Sequence, residues 1–455
     1  MRHIKDFAAT GLQWLEGRRD IASLRVAITD MNGCMRGKRL PLEQARGAFE
    51  GKVRMPLSLS VQDIWGSDVE DNPALMASGD SDALCLPTGR APLLMNWMEP
   101  PAAMLPLWFY REDGTPWAID PRHALAAVVD RYKARGLTPV VATELEFYLV
   151  DASGDRPESP ISPVTKKPIL ADGVLSLDDI DHFEGLLSDI YAACRANDIP
   201  VETAVSEAGA GQFEFNLRHV DDALKAADDA TYFKRVVKGF ARRHHLAATF
   251  MSKPFTDRAG SGFHVHFSLL DADGRNVFDD GGHDGTPVLR HAVGGMLRAM
   301  QASTLVFAPH QNSFRRLKPG THAPTKVCWA YENRFSAVRI PGGPHSARRI
   351  EHRVAGADAN PYLVLAAVLG AALDGIEDKV EPSAPITGNA YEMDLPELPD
   401  SWESAIYEFE DNASVFGRIF VPEFIHLFAA CKWQELAEFR SRMSEFEVAT
   451  YLETV

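Results

Sequence analysis

The segment Thr143-Glu-Leu-Glu-Phe-Tyr-Leu-Val150 carries two carboxylates two residues apart. Successive side chains of a strand point to opposite faces, so Glu144, Glu146 and Tyr148 share one face while Leu145, Phe147 and Leu149 share the other. Gln212-Phe-Glu-Phe-Asn-Leu217 repeats the division, with Glu214 opposite Phe213 and Phe215 and with Glu207 upstream across a Gly-Ala-Gly link. Phe263-His-Val-His-Phe-Ser268 groups His264, His266 and Ser268 against Val265 and Phe267, and Arg349-Ile-Glu-His-Arg353 aligns Arg349, Glu351 and Arg353. A single strand of this kind is commonly a solvated sheet face. Recurrence in four segments of one acidic chain points instead to a shared polar site.

Carboxylates brought together away from water raise one another's pKa unless a cation neutralises them. Oxygen-rich donor sets that include one histidine suit Mg²⁺ or Mn²⁺. The arginines point to phosphoryl transfer, which is accelerated by metals and guanidinium groups that balance charge on the moving phosphoryl.

A chain of 455 residues exceeds the size of one core, so a large domain with a smaller companion is expected. The small unit is read as residues 1–112 and the large one as 113–455. The first hundred residues are strand-rich, with Leu24–Ile28 apolar and Asn32-Gly33 a hairpin turn. Prolines 87, 92, 100, 101, 106 and 116 read as a linker that ends near Asp120-Pro121-Arg122. A helix is expected over Ala124–Lys133, and another from a Ser176 capping box through Cys194, with Ile180, Phe183, Leu187, Ile190 and Tyr191 at helical spacing. A third should start at Asn360-Pro361 and run apolar toward Gly375.

The composition, 45% hydrophobic and 24% charged, is that of a globular protein. A net charge of −16 argues against a nucleic-acid partner. The longest mostly apolar run, Pro361–Leu373, is too short to span a bilayer, and the N-terminus lacks the apolar core of a secretion signal, so a cytoplasmic protein without a membrane partner is expected. Cysteines 34, 85, 194, 328 and 431 are scattered without a C-x-x-C spacing, which suits reduced structural thiols.

The chain resembles the glutamine synthetase superfamily over nearly its whole length. The blocks that carry the resemblance are Asp120-Pro-Arg122, Glu144-Leu-Glu146, Glu207-Ala-Gly-Ala-Gly-Gln-Phe-Glu214, Ala248-Thr-Phe-Met-Ser-Lys-Pro254, Gly260-Ser-Gly-Phe-His-Val-His266, Asn312-Ser-Phe-Arg-Arg316, Asn333-Arg334 with Arg339-Ile-Pro341, and Arg349-Ile-Glu351 followed by Asn360-Pro-Tyr362. It implies an α+β fold: a small N-terminal β-grasp-like domain and a large catalytic domain with a curved antiparallel sheet flanked by helices. It also implies two or more Mg²⁺ or Mn²⁺ ions per site, with Glu146, Glu207 and Glu214 as ligands of one and Glu144, His264 and Glu351 of the other. Glu202, His266, Ser268, Arg334 and Arg349 match ATP contacts, and Gly260, Arg316 and Arg353 match glutamate contacts. Arg339 matches the residue that steadies the transferring phosphoryl. The family's γ-glutamyl phosphate chemistry and its dodecamer of two hexameric rings are implied as well.

The chain departs from the family pattern where ammonium would bind. The flap Glu-Ala-Pro is replaced in Lys318-Pro-Gly-Thr-His-Ala-Pro324, so His322 stands where a carboxylate is expected. The Asp-Asn-Gly-Ser-Gly loop reads Arg258-Ala-Gly-Ser-Gly262, and the Asp-Gly-Ser-Ser segment reads Met55-Pro-Leu-Ser-Leu-Ser60. Each lost charged hydrogen bond would weaken ammonium binding by about 1.5–3 kcal/mol, whereas a larger amine could use apolar contacts and a neutral His322 could take its proton. The acceptor is therefore expected to be a primary amine or polyamine, as in the γ-glutamylputrescine and γ-glutamylpolyamine synthetase branch. That branch also shares Asp30-Met-Asn-Gly33 and Arg36-Gly-Lys38. The alternatives are a glutamine synthetase that uses ammonium and a catalytically silent structural relative.

Overall fold

The computed structural model describes residues 2–455 apart from 71, 73, 74, 76–78 and 155. Its strands sort into two sheets. The first is built from β1 (Ser23–Thr29), β2 (Met35–Leu40), β3 (Val53–Pro56), β4 (Asp82–Pro87), β5 (Leu93–Met95) and β6 (Ala102–Tyr110), in the order β2-β1-β6-β4-β3 with β5 also on β6. The second comprises β7 (Thr138–Val150), β8 (Val201–Ser206), β9 (Gln212–Leu217), β10 (Ala247–Thr249), β11 (Phe263–Leu270), β12 (Trp329–Tyr331), β13 (Val338–Ile340) and β14 (Ile350–His352). Its order is β12-β13-β14-β11-β7-β9-β8, with β10 on the far part of β7. The class is α+β as expected, and the second sheet is antiparallel except for the β12–β13 pair.

Hairpin β1–β2 turns at Asn32-Gly33 as read, and Gly33 takes a positive φ of 76° that suits glycine there. The proline-rich stretch is not a linker. It holds β5 and β6, and β6 is the strand against which β1, β4 and β5 all pair. Pro106, which has no N–H to donate, lies where the β1 ladder ends opposite Ala27, and its carbonyl accepts from Thr88 N at 3.1 Å. The amphipathic helix Arg2–Glu16 that precedes this sheet was not anticipated among the strands.

The helix expected at 124 begins at Pro121, capped by Asp120, whose carboxylate accepts from Arg122 N at 2.9 Å and from Phe109 N at 2.9 Å. The expected helix through 194 is split at Phe183 into Leu177–His182 and Glu184–Ala196. Phe183 leaves helical geometry at φ −114° while its ring is buried edge-on against Phe213, 5.6 Å away. Tertiary packing of one aromatic thus overrides a helical spacing that local pattern would continue.

The apolar helix Pro361–Asp378 is buried through Gly375. It crosses helix Pro287–Ala299 so closely that a Cβ on Gly295 would lie 2.1 Å from Ala371 O and one on Gly375 2.2 Å from His291 O. Asp228 receives both Arg122 Nε (3.0 Å) and Nη2 (3.1 Å) and the Tyr362 hydroxyl (2.7 Å), which ties helices Pro121–Lys133, Ala223–Arg243 and Pro361–Asp378 together. The bidentate geometry compensates the burial of that charge.

Asn360 joins the two sheets' surroundings. Its side-chain oxygen caps Tyr362 N at 3.0 Å while its Nδ2 donates to Asp30 O (3.0 Å) and Met31 O (3.3 Å) in the β1–β2 turn. A second tie sits beside it: Glu435 accepts from Asn32 Nδ2 (3.0 Å) and Ile64 N (2.8 Å), and buried Lys432 donates to Glu435 at 2.9 Å and to Asn32. The Asp30-Met-Asn-Gly33 motif therefore docks the first sheet onto the helices of the second. Replacing Asn360 by Ala removes the cap and takes the donor from buried Met31 O, while Asp30 O keeps Gly33 N, so urea unfolding should show a loss of about 2 kcal/mol with an unchanged m-value.

Candidate active site

The four polar-faced strands are consecutive in the second sheet, in the order β9-β7-β11-β14. Their register sets acid against acid and acid against histidine: Glu214 faces Glu146, Glu144 faces His264, and His266 faces Glu351. The opposite face of the same strands is an aromatic layer, with Phe147 packed on Phe213, Phe215, Phe233 and Phe250 at centroid distances of 5.3–6.4 Å. Burial of these rings is the main gain that holds the polar face in place.

Glu144 bridges two histidines, with His264 Nδ1 3.1 Å from its Oε2 and His266 Nε2 2.9 Å from its Oε1. Arg349 Nε donates to His266 Nδ1 at 3.3 Å, which leaves Nε2 as the protonated nitrogen that donates to Glu144. Glu351 is gripped by Arg339 Nη1 at 2.7 Å and by Arg353 Nη1. Both arginines keep a buried Nε–H with no partner among the described residues. Glu146 Oε2 accepts from Gly262 N at 2.8 Å and from Gln212 Nε2 at 3.4 Å. Gly262 has no room for a side chain, because a Cβ there would lie 2.9 Å from both His264 Nε2 and Arg316 Nη2 and 3.3 Å from Glu146 Oε1.

This donor set fits divalent cations. Glu144, His264 and Glu351 each offer a ligand atom within 4.8 Å of the others, and so do Glu146, Glu214 and His264. His264 belongs to both groups. Its Nδ1 faces Glu144, and its Nε2 lies near the Cα of Gly262, where Glu146 also converges. Glu207 stands outside both groups, yet burial first and Glu146 second push its carboxyl up to about 7. Burial and repulsion from Glu144, Glu146 and Glu207 likewise raise Glu214. Burial alone would raise Glu144 too, but hydrogen bonds from His264 and His266 outweigh it and hold that carboxyl well below its usual range. Glu351 is similarly lowered: burial raises it, but the charges of Arg353, His266 and His264 together outweigh burial. A set of carboxylates in which some are forced toward the neutral form is relieved by a cation.

The remaining expected residues lie around this centre. Arg334 is exposed, and its charge reaches Glu207. Ser268 is half-buried on β11 opposite Val140. Glu202 is exposed on β8, lining an open cleft with Tyr191, Arg195 and Arg218. Arg316 is buried, donating through Nη1 to Val354 O (2.8 Å) and through Nη2 to Arg353 O (3.3 Å), and its stem packs on Gly260, where a Cβ would sit 2.7 Å from Arg316 Cγ. His322 is exposed at φ 60°, its ring stacked on Phe335 with centroids 5.8 Å apart. Tyr391 packs edge-on against the same Phe335 and donates its hydroxyl to Ala323 O at 2.8 Å.

Residues 118–451 match the model of the glutamine synthetase catalytic domain. The chain is 37% identical to gamma-glutamylputrescine synthetase PuuA of Escherichia coli (strain K12), over 96% of this chain and 93% of that protein. It is 31% identical to the glutamate–isopropylamine ligase of a Pseudomonas species, over 96% of each. A solved GmaS/ADP complex superposes with a TM-score of 0.83 at 28% identity, covering 98% of this chain and 99% of that one. The chain belongs to the glutamine synthetase family.

Sequence reasoning passed over several polar residues of this glutamine synthetase family site. Gln212 and Asn216 lie two residues to either side of Glu214 on β9, and they donate to Glu146 and to Glu214 (3.1 Å) respectively. The same period of two that singled out Glu214 marks them. Glu332, 3.7 Å from Arg339, carries no such signal, because it comes from the turn after β12.

Glu207 has a folded pKa of about 7 against an ordinary value of 4.5. Its contribution to stability is therefore complete below pH 4.5 and is lost as pH rises toward 7, since the unfolded chain releases the proton first. In chelator, the melting temperature of the wild type should fall over that window more steeply than that of Glu207→Gln. Millimolar Mg²⁺ or Mn²⁺ should flatten the wild-type decline.

Proposed function

We propose that this chain is an ATP-dependent ligase that joins the γ-carboxylate of L-glutamate to a primary amine or polyamine through γ-glutamyl phosphate. What supports this most is the register that collects Glu144, Glu146, Glu214, His264 and Glu351 on one sheet face beside Arg339 and Arg353. Relatives named for putrescine and isopropylamine as acceptors support the amine half.

In this reading Glu144, His264 and Glu351 hold one Mg²⁺ or Mn²⁺, and Glu146 and Glu214 with Glu207 hold the other, His264 reaching both. Bound there, such ions supply Lewis-acid polarisation and charge neutralisation. Glutamate is seated by the Gly260 backbone, Arg316 and Arg353, and the nucleotide by Glu202, His266, Ser268, Arg334 and Arg349. A γ-carboxylate oxygen attacks the γ-phosphorus of ATP, and ADP departs. Arg339 balances charge on the phosphoryl in flight. The amine nitrogen then attacks the acyl carbon, phosphate departs, and His322 accepts the amine's proton.

The acceptor assignment rests on missing anions. Segment 55–60 carries no carboxylate, and the nearby Asp80 is occupied by Ser58 N (3.1 Å) and the Ser58 hydroxyl (2.9 Å). A compact cation such as ammonium needs anionic oxygens about it. The rings of His322, stacked on Phe335, and of Tyr391, edge-on to the same Phe335, instead offer apolar and cation–π contact to an alkylammonium. Residues 1–112 form the smaller domain in this reading, closing the site of a neighbouring copy in a ring assembly of dodecameric form. No described helix is long and apolar enough to cross a membrane, in keeping with work in the cytoplasm.

Phosphate release from ATP and glutamate should be stimulated by putrescine, spermidine, ethanolamine, methylamine or isopropylamine more than by ammonium. A preference for ammonium would make the enzyme a glutamine synthetase, and no turnover with any amine would make it a silent relative. In His322→Ala, amine-dependent turnover should drop at least about tenfold while glutamate-dependent ADP formation without amine is retained. Equal losses would remove His322 from the proton-accepting role.

A further inference from the structure

The residues read as glutamate contacts come from separate loops, and one carboxylate outside the polar sheet face joins them. Gly260 lies on the loop that enters β11, Arg316 follows the short 3₁₀ turn Ser313–Arg315, and Arg353 follows β14. Asp358, on the loop between β14 and helix Pro361–Asp378, accepts the Ser252 hydroxyl on Oδ1 and the Ser313 hydroxyl on Oδ2, both at 2.7 Å. Both serines are buried.

Each serine's backbone carbonyl accepts a hydrogen bond from the loop that carries one of these contacts. Ser252 O accepts from Ser261 N at 2.8 Å, and a Cβ on Gly260 would lie 2.8 Å from that same oxygen. Ser313 O accepts from Arg316 N at 3.0 Å, and its hydroxyl accepts from His310 N at 3.1 Å, which orients the hydroxyl toward Asp358. Asn312 clamps the residue after Ser252 from both sides, accepting from Lys253 N and donating to Lys253 O, each at 2.9 Å. Gly356 leaves room for the arrangement, since a Cβ there would sit 2.0 Å from Ser252 Oγ and 2.7 Å from Asp358 Oδ1.

We infer that Asp358 is a positioning residue for the amino-acid half of the site: by bridging Ser252 and Ser313 it fixes the Gly260 loop against Arg316. The inference rests on the reading of Gly260, Arg316 and Arg353 as glutamate contacts. A carboxylate suits the task because both of its oxygens accept, so two hydroxyl donors on different loops are held at once. The nucleotide-facing residues His266 and Arg349 take no part in this clasp, so its loss should be felt by one substrate and not by the other.

In Asp358→Ala, the KM for glutamate should rise about tenfold or more while the KM for ATP stays within about twofold. Asp358→Asn keeps one acceptor and should fall between wild type and Asp358→Ala. Ser313→Ala and Ser252→Ala should each raise the glutamate KM, and neither should add to the effect of Asp358→Ala, as expected of groups that act through one bridge. Amide exchange without substrate provides the second readout, faster over residues 252–262 and 310–317 in Asp358→Ala and unchanged over β7 and β9. Equal shifts in both KM values, additive double mutants, or unchanged exchange in the two loops would each overturn the clasp. Wild-type enzyme that forms no ADP in response to glutamate would sink the proposed function instead, and the exchange result would still decide whether Asp358 holds the two loops.

Discussion

Glu144, Glu146 and Glu214 on the polar face of the second sheet, with Glu207 on the loop after β8, repel one another, and the surrounding structure holds them there despite that repulsion. Like charges in a partly buried site either shed charge or find counter-charge. Both responses are present. Glu207 and Glu214 are driven toward their neutral forms, whereas Glu144 and Glu351 are held ionised by histidines and by Arg353. The result is a graded set in which some carboxylates are ready-made anions and others are held toward the neutral form.

The repulsion is offset by packing elsewhere in the same strands. Phe147, Phe213 and Phe215 share backbone with the acids and place their rings in one layer with Phe233 of helix Ala223–Arg243. Because alternation is fixed, moving an acid off the site by one residue would also drive a phenylalanine out of the core. The glycines make the complementary contribution. At Gly262 the backbone approaches His264, Arg316 and Glu146 so closely that any side chain would separate them.

The flap and the first sheet are attached by different physics. His322 holds an exposed, left-handed conformation supported by one aromatic stack, so the flap rests on a few contacts. The β1–β2 turn is locked by buried hydrogen bonds through Asn360, Asn32, Lys432 and Glu435.

The period-two spacing in the four strands was determined by the sequence alone, because alternation across a strand follows from covalent geometry and needs no partner. From it the paired faces of Glu144 and Glu146, of His264 and His266, and of Glu351 with its arginines were all legible, and the family blocks carried the α+β class. The tertiary structure decided which strand lies beside which, and hence that Glu214 meets Glu146, that His264 serves two donor groups, and that Glu207 stands apart from both. It also turned a proline-rich linker into the strand on which the first sheet is built, split a helix at Phe183, and brought Asp358 to Ser252 and Ser313 across 106 and 45 residues of chain. Strand order, register and loop-to-loop hydrogen bonds depend on contacts distant in sequence. A local pattern can say which face a side chain takes, but not what it will meet there.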